Sequence, residues 1–169
     1  MFEIPLLYIK DKQVFTKKDG ILRFVGKPLN VAKDLKENYK LIHFVDADAL
    51  SGLSNNLDMY SGLTFFINIQ VECAPKLEFV SKLLALKCRV VLDVSAEDTL
   101  PLKNLNKNLL VAKIPKNYQG KAEFFKDVIL QDYDEVAVKK FTELGKRIIV
   151  YENEKTKISK PWGIIVSRV

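Results

Sequence analysis

Histidine occurs once in this chain of 169 residues and cysteine only twice. His43 stands alone, and Cys73 and Cys88 form no CxxC pair, so the chain lacks metal-ligand spacing. Two isolated cysteines read as buried, reduced thiols, which places the protein in the cytoplasm. No apolar run approaches the roughly 20 residues needed to span a bilayer, so no membrane association is expected. The opening MFEIPLLYIKDK lacks a basic n-region and a small-residue cleavage site. It is therefore expected to be a strand and not a signal peptide. A helix-turn-helix signature, a zinc finger and an RNP-type aromatic strand are all missing, which argues against nucleic acid. The net charge of +6 comes from lysines spread along the chain without a block. It reads as a solvated basic surface and leaves a small anionic metabolite as the favoured ligand. No cofactor is called for.

What is present is an ordinary globular composition, 48% hydrophobic and 28% charged, enough for one domain spanning 1–169. Residues 41–45, LIHFV, carry apolar side chains on both pleat parities, as a strand covered on both faces does. Asp46 and Asp48 follow directly. Further strands are expected at 2–9, 64–69, 89–94, 109–114, 127–130, 147–151 and 162–166. A β-excursion is expected over 11–25, turning at Lys18-Asp19-Gly20. Helical spacing marks 28–39, with Asn30 as cap, the stripe Leu77, Val80, Leu83 and Leu84 after Ala74-Pro75, and 135–145 with Gly145 as C-cap. A weak helix is expected over 95–106, capped by Ser95, and a short helix or turn over 118–125.

Strands alternating with short helices predict a parallel sheet with right-handed crossovers. Eight of them predict an α/β fold, a compact (β/α)8 TIM-like barrel. A standard barrel uses about 250 residues, so several helices must be shortened or missing. The alternative is an open, parallel, doubly wound sheet.

The stretch Ile4-Pro5-Leu6-Leu7-Tyr8-Ile9-Lys10-Asp11-Lys12 is similar to the V-P-A-I-D-L-K-D-G strand that opens the histidine-biosynthesis barrels. These are the phosphoribosylformimino carboxamide ribotide isomerases and their sister cyclases. Ile42-His43-Phe44-Val45-Asp46-Ala47-Asp48-Ala49 resembles their second strand, L-H-V-V-D-L-D-G-A. Gln131-Asp132-Tyr133-Asp134 ends the sixth strand where that family has a Thr-Asp/Glu-x-Asp element. The resemblance is carried mostly by the first 63 residues and is nearest to shortened, archaeal-type relatives of the isomerase. It implies an isomerase-like barrel acting at the C-terminal ends of its strands. The departures are equally specific. The family's first catalytic aspartate falls on Tyr8, and its second falls near Lys113-Ile114. The four phosphate-gripping turns, 70–73, 95–98, 152–155 and 167–169, contain no glycine, and three carry acids. The ancestral isomerisation is therefore not expected.

Asp46, Asp48, Lys113 and Asp132 are the catalytic candidates, and Tyr8, His43, Asp93 and Arg168 the substrate-binding ones. Alternation along an extended strand end would put Asp46 and Asp48 on one side; the plainer role for Asp46 is a cap accepting backbone N–H groups. The acids Asp46, Asp48, Glu72, Asp93, Asp132 and Glu152 are expected at one end of the sheet. They form either a cation-holding rim or ordinary solvated loops. His43 reads as a core residue or a catalyst. Lys113 reads as a base or Schiff-base amine, or as the partner of Asp93 or Asp132. Tyr8 either offers its hydroxyl to the mouth or plugs it. Two functions follow: a lyase or isomerase on a small, phosphorylated metabolite, or a non-catalytic binding or assembly protein on a degenerate barrel. The linkers 51–62 and 152–161 are too short for full helices. An apolar outer face on strands 65–69 and 164–166 is then expected to draw a homo-oligomeric or protein partner.

Overall fold

A computed structural model describes residues 1–53, 56–153 and 160–167. Eight strands run parallel and close on themselves: β1 (Phe2–Lys10), β4 (Leu41–Asp46), β5 (Asn68–Glu72), β6 (Arg89–Asp93), β7 (Leu110–Ile114), β8 (Asp127–Leu130), β9 (Arg147–Tyr151) and β10 (Gly163–Val166). The fold is a compact (β/α)8 TIM-like barrel. Closure can be read from the registers. Successive partners lead from Tyr8 through Val45, Glu72, Val91, Val111 and Asp127 to Arg147. Arg147 lies two residues before Ile149, which is level with Gly163 and so with Phe2. One circuit therefore returns to β1 eight residues earlier, the stagger of a (β/α)8 barrel.

An antiparallel ribbon, β2 (Gln13–Lys18) and β3 (Ile21–Gly26), is added to the end of β1. Asp19, φ 51°, and Gly20, φ 76°, make its turn; both backbone angles are left-handed, as a tight hairpin of this hand requires. Among the described residues five helices cover the barrel: α1 (Pro28–Leu35), α2 (Ala47–Leu50), α3 (Leu57–Leu63), α4 (Leu77–Ala85) and α5 (Glu135–Glu143). Between β6 and β7 only 3-10 turns occur, at Val94–Asp98, Leu102–Asn104 and Lys107–Leu109. The expected helix over 95–106 is thus replaced by tighter turns, with Pro101 between the first two. Asp93, not Ser95, caps the first by accepting from the Ser95 N–H. Helix α1 begins at Pro28 itself, so Asn30 lies inside it and is not its cap. Among the described residues no helix is long and apolar enough to cross a membrane.

The largest correction concerns the third barrel strand. Residues 64–69 are rich in β-formers, yet Thr64 ends α3 and Phe65 stands 86% exposed in the turn beyond it. The strand is Asn68–Glu72. Its alternation of Gln70 and Glu72 with Ile69 and Val71 puts polar groups inside the barrel and apolar groups under the helices, with Asn68 exposed at its start. The core has two layers accordingly. Ile42, Phe44, Val71, Leu92, Ala112 and Val150 belong to the outer shell packed by the helices. Ile4, Leu6, Val91, Val111, Ile129, Ile149 and Ile165 fill the barrel. Ile164 and Val166 are buried in the outer shell, so the exposed apolar face expected there does not exist.

Candidate functional site

The barrel interior carries a line of polar side chains from one end to the other. Near the N-terminal end, Asp127 is fully buried between two arginines. Arg147 grips it in a bidentate pair, with Nε donating to Oδ1 at 2.6 Å and the terminal nitrogen to Oδ2 at 2.8 Å. Arg89 forms an ion pair with the same carboxylate at 2.6 Å. Trp162 closes this end. Its ring lies 4.1 Å from the Arg147 guanidinium and 5.3 Å from that of Arg89. Phe2 meets the ring edge-on at 4.6 Å.

From there the line climbs. Arg89 Nε donates to Gln70 Oε1 at 3.2 Å. That fixes the Gln70 amide, whose NH2 must then face His43 Nδ1, 2.7 Å away. His43 accepts at Nδ1, so its proton sits on Nε2 and is given to Glu72 Oε1 at 2.8 Å. Lys113 Nζ donates to both oxygens of Glu72, at 3.2 and 3.1 Å. Glu72 and Lys113 face inward from the C-terminal halves of β5 and β7, with His43 beneath them on β4. Tyr8 from β1 and Tyr151 from β9 complete this mouth.

The charges follow from these neighbours. Burial alone would raise Glu72, but the His43 N–H and the Lys113 ammonium outweigh it and hold the carboxyl below its ordinary value. Burial, and then the Glu72 carboxylate, raise Tyr8. Burial, Glu72 and Tyr8 raise Tyr151 further. At neutral pH the mouth therefore presents two protonated phenols, an ionised carboxylate and the lysine it holds.

The expected site residues divide sharply. Tyr8, His43 and Lys113 are brought together. The partner of Lys113 is Glu72 and not Asp93 or Asp132. Asp93 closes β6 at the rim, where it is exposed and accepts from the Ser95 N–H at 2.9 Å. Asp46 and Asp48 do not lie on one strand edge, because β4 ends at Asp46 and α2 begins at Ala47. Asp46 points out of the barrel into the helix shell and is wholly buried. It accepts from the N–H groups of Asp48 and Ala49, at 2.9 and 3.0 Å. Both of its oxygens accept from the Asn56 amide, at 3.1 and 3.0 Å, and Tyr60 OH donates at 2.5 Å. It caps α2 and braces α3 to the barrel. Half-buried Asp48 accepts from the same Asn56 amide at 3.0 Å and from the Asp11 N–H at 3.2 Å. Asp132 follows β8 outside the barrel, in a groove of about 640 Å³ shared with Tyr118, Tyr133 and Lys140. That groove is separate from the mouth. Arg168 lies outside the described residues.

The six acids do share the C-terminal side, since each closes or follows the end of a parallel strand or starts the helix after it. They do not converge. Among the described residues no group of three or more His, Cys, Asp or Glu is placed to hold a metal ion. Cys73 and Cys88 are free and buried, and burial pushes both thiols up to about 12.

Sequence reasoning passed over Glu72 as a central residue and missed Tyr151. The available signal was parity: Gln70/Glu72, Arg89/Asp93 and Arg147/Tyr151 each put polar groups on one face of a strand whose other face is aliphatic. The chain matches no protein-family model and no curated protein.

Proposed function

We propose that the C-terminal mouth of this barrel binds a small anionic metabolite and converts it by proton transfer, as an isomerase or lyase. The observation that carries this reading is the buried Lys113–Glu72–His43 chain beneath two protonated tyrosines. A buried ion pair contributes little net stability compared with well-packed apolar groups. Its place at the strand C-termini is where barrels of this kind carry out chemistry. Lys113 is the cationic anchor, and Tyr8 and Tyr151 donate hydrogen bonds to an oxyanion. Glu72 holds Lys113 in place, and His43 orients Glu72. An anion arriving at Lys113 competes with Glu72 for the ammonium. That loosens the grip that keeps the carboxylate a weak base, so ligand binding itself prepares Glu72 to take a proton.

Descent from the histidine-biosynthesis barrels is part of the same reading. It is supported by the sequence of β1 and β4. The resemblance puts the family's catalytic aspartates at Tyr8 and near Lys113-Ile114, and Tyr8 and Lys113 face the mouth. With those acids gone the histidine-pathway isomerisation is not the reaction. Titration with inorganic phosphate and with malonate, followed by NMR, tests the site. Shifts centred on Tyr8, Glu72 and Tyr151 that vanish in Lys113→Met support it; shifts elsewhere, or none, overturn it. Rescue of an isomerase-deficient strain would overturn the altered-reaction claim.

A second reading, assembly with itself or a partner protein, is favoured by exposed apolar side chains. Ile21 is 64% exposed, Val136 76% and Phe65 86%. Light scattering over a concentration series tests it; a strict monomer removes the self-assembly arm.

A further inference from the structure

The β2–β3 ribbon is not required to close the barrel. On one side β1 pairs with β10 only over Phe2 to Pro5, and its last residues, Tyr8 to Lys10, pair with β2 instead. The ribbon thus rises from the C-terminal mouth above the end of β10. Tyr8 is level with Phe15, and Phe15 with Phe24. Directly paired residues project to the same face of a sheet. Tyr8, Phe15 and Phe24 therefore form one aromatic row that begins inside the mouth and continues up the ribbon. A bulge at Val14/Phe15 takes up the extra residue Val25. The Phe15 and Phe24 rings meet edge-on at 5.9 Å, and Phe24 is 59% exposed. The next pair on this face is Lys17 and Leu22. Lys17 bends back over the row, its Nζ 5.4 Å from the centre of the Tyr8 ring. The Lys17 ammonium and, below it, the Lys113 ammonium therefore both stand at the mouth end of the row, and the exposed Phe24 ring stands at its other end.

We infer that this face is a subsite for a flat aromatic or heteroaromatic ring, and that the ligand of the mouth is an aryl-bearing anion. The inference rests on the anion-binding reading above. Continuity carries it: the same Tyr8 that borders Glu72 is the first ring of the row. Charge complementarity carries it too, since Lys17 and Lys113 favour a ligand whose ring bears a phosphate or carboxylate. Stacking on exposed aromatic side chains suits any flat ring.

The test compares two probes by calorimetry on the full chain, inorganic phosphate and phenyl phosphate. Phenyl phosphate is expected to bind about tenfold more tightly, equivalent to ~1.4 kcal/mol. Phe24→Leu keeps an apolar side chain at an exposed position and removes the ring. It should bring phenyl phosphate down to the affinity of phosphate and leave phosphate unchanged, while Phe24→Trp keeps the preference. Equal affinity of the two probes in the parent chain overturns the ring subsite but spares the anion site. Failure of both probes to bind overturns both. Self-association abolished by Phe24→Leu would assign the face to a second copy and also overturn the inference.

Discussion

Replacing Glu72 with leucine removes the one carboxylate that serves both Lys113 and His43. Lys113 has 26% of its side chain exposed and can turn part-way to water, whereas the His43 side chain is wholly buried. Stranding a fully buried charge costs about 3–5 kcal/mol, and the partial exposure of Lys113 cuts its share to roughly 2 kcal/mol. A buried N–H without an acceptor adds about 1 kcal/mol at His43. Glu72→Leu should therefore destabilise the fold by about 3 kcal/mol, or lower Tm by roughly 6–12 °C for a chain of this size. Glu72→Gln keeps an acceptor for His43 and should lose about half as much. The double variant Glu72→Leu/Lys113→Met removes both charges and should recover most of the loss, leaving about 1 kcal/mol from His43. Urea unfolding with a common m-value measures all three and Lys113→Met alone. If the double variant is as unstable as the sum of the single changes, Glu72 and Lys113 do not act as a pair, and the description of the mouth fails.

Asp127→Leu leaves two guanidiniums facing each other at the closed end and should cost about 3–5 kcal/mol by urea unfolding; a loss below 1 kcal/mol would contradict the assigned role of that carboxylate. Asp46→Ala removes a cap and strands the Tyr60 hydroxyl and the Asn56 amide, so a loss of about 3 kcal/mol is expected. Phosphate affinity of the folded variant should be unchanged, because Asp46 faces the helix shell; a weakened affinity by calorimetry would return Asp46 to the site. Glu72 is held below its ordinary value in the fold. Its contribution is therefore present above the unfolded-state pKa, about 4.3, and lost as pH falls through the lower folded value. A pH series of Tm should show Glu72→Gln losing its deficit against the parent chain as acid is added.

The barrel is legible in the sequence. Seven of the eight barrel strands were legible because parallel strands buried on both faces read as continuous aliphatic runs, and such a run has few other uses. The short connections were legible from length alone. The β-excursion after β1 followed from Lys18-Asp19-Gly20, whose backbone needs are local. The third strand was not legible at its true position. The aromatic run Thr64-Phe65-Phe66 has strand propensity, but the end of α3 claims it, and propensity yields to such a tertiary demand. That shift hid Glu72 and made it look like a loop acid. The tertiary structure alone decided which polar residues meet. Parity tells which face a residue takes, but the stagger between strands sets its height in the barrel. Only that stagger brings Glu72 of β5 to Lys113 of β7, 41 positions apart in sequence. Parity sends Asp46, the more conspicuous acid in the sequence, to the outer face of β4, where helix α2 begins.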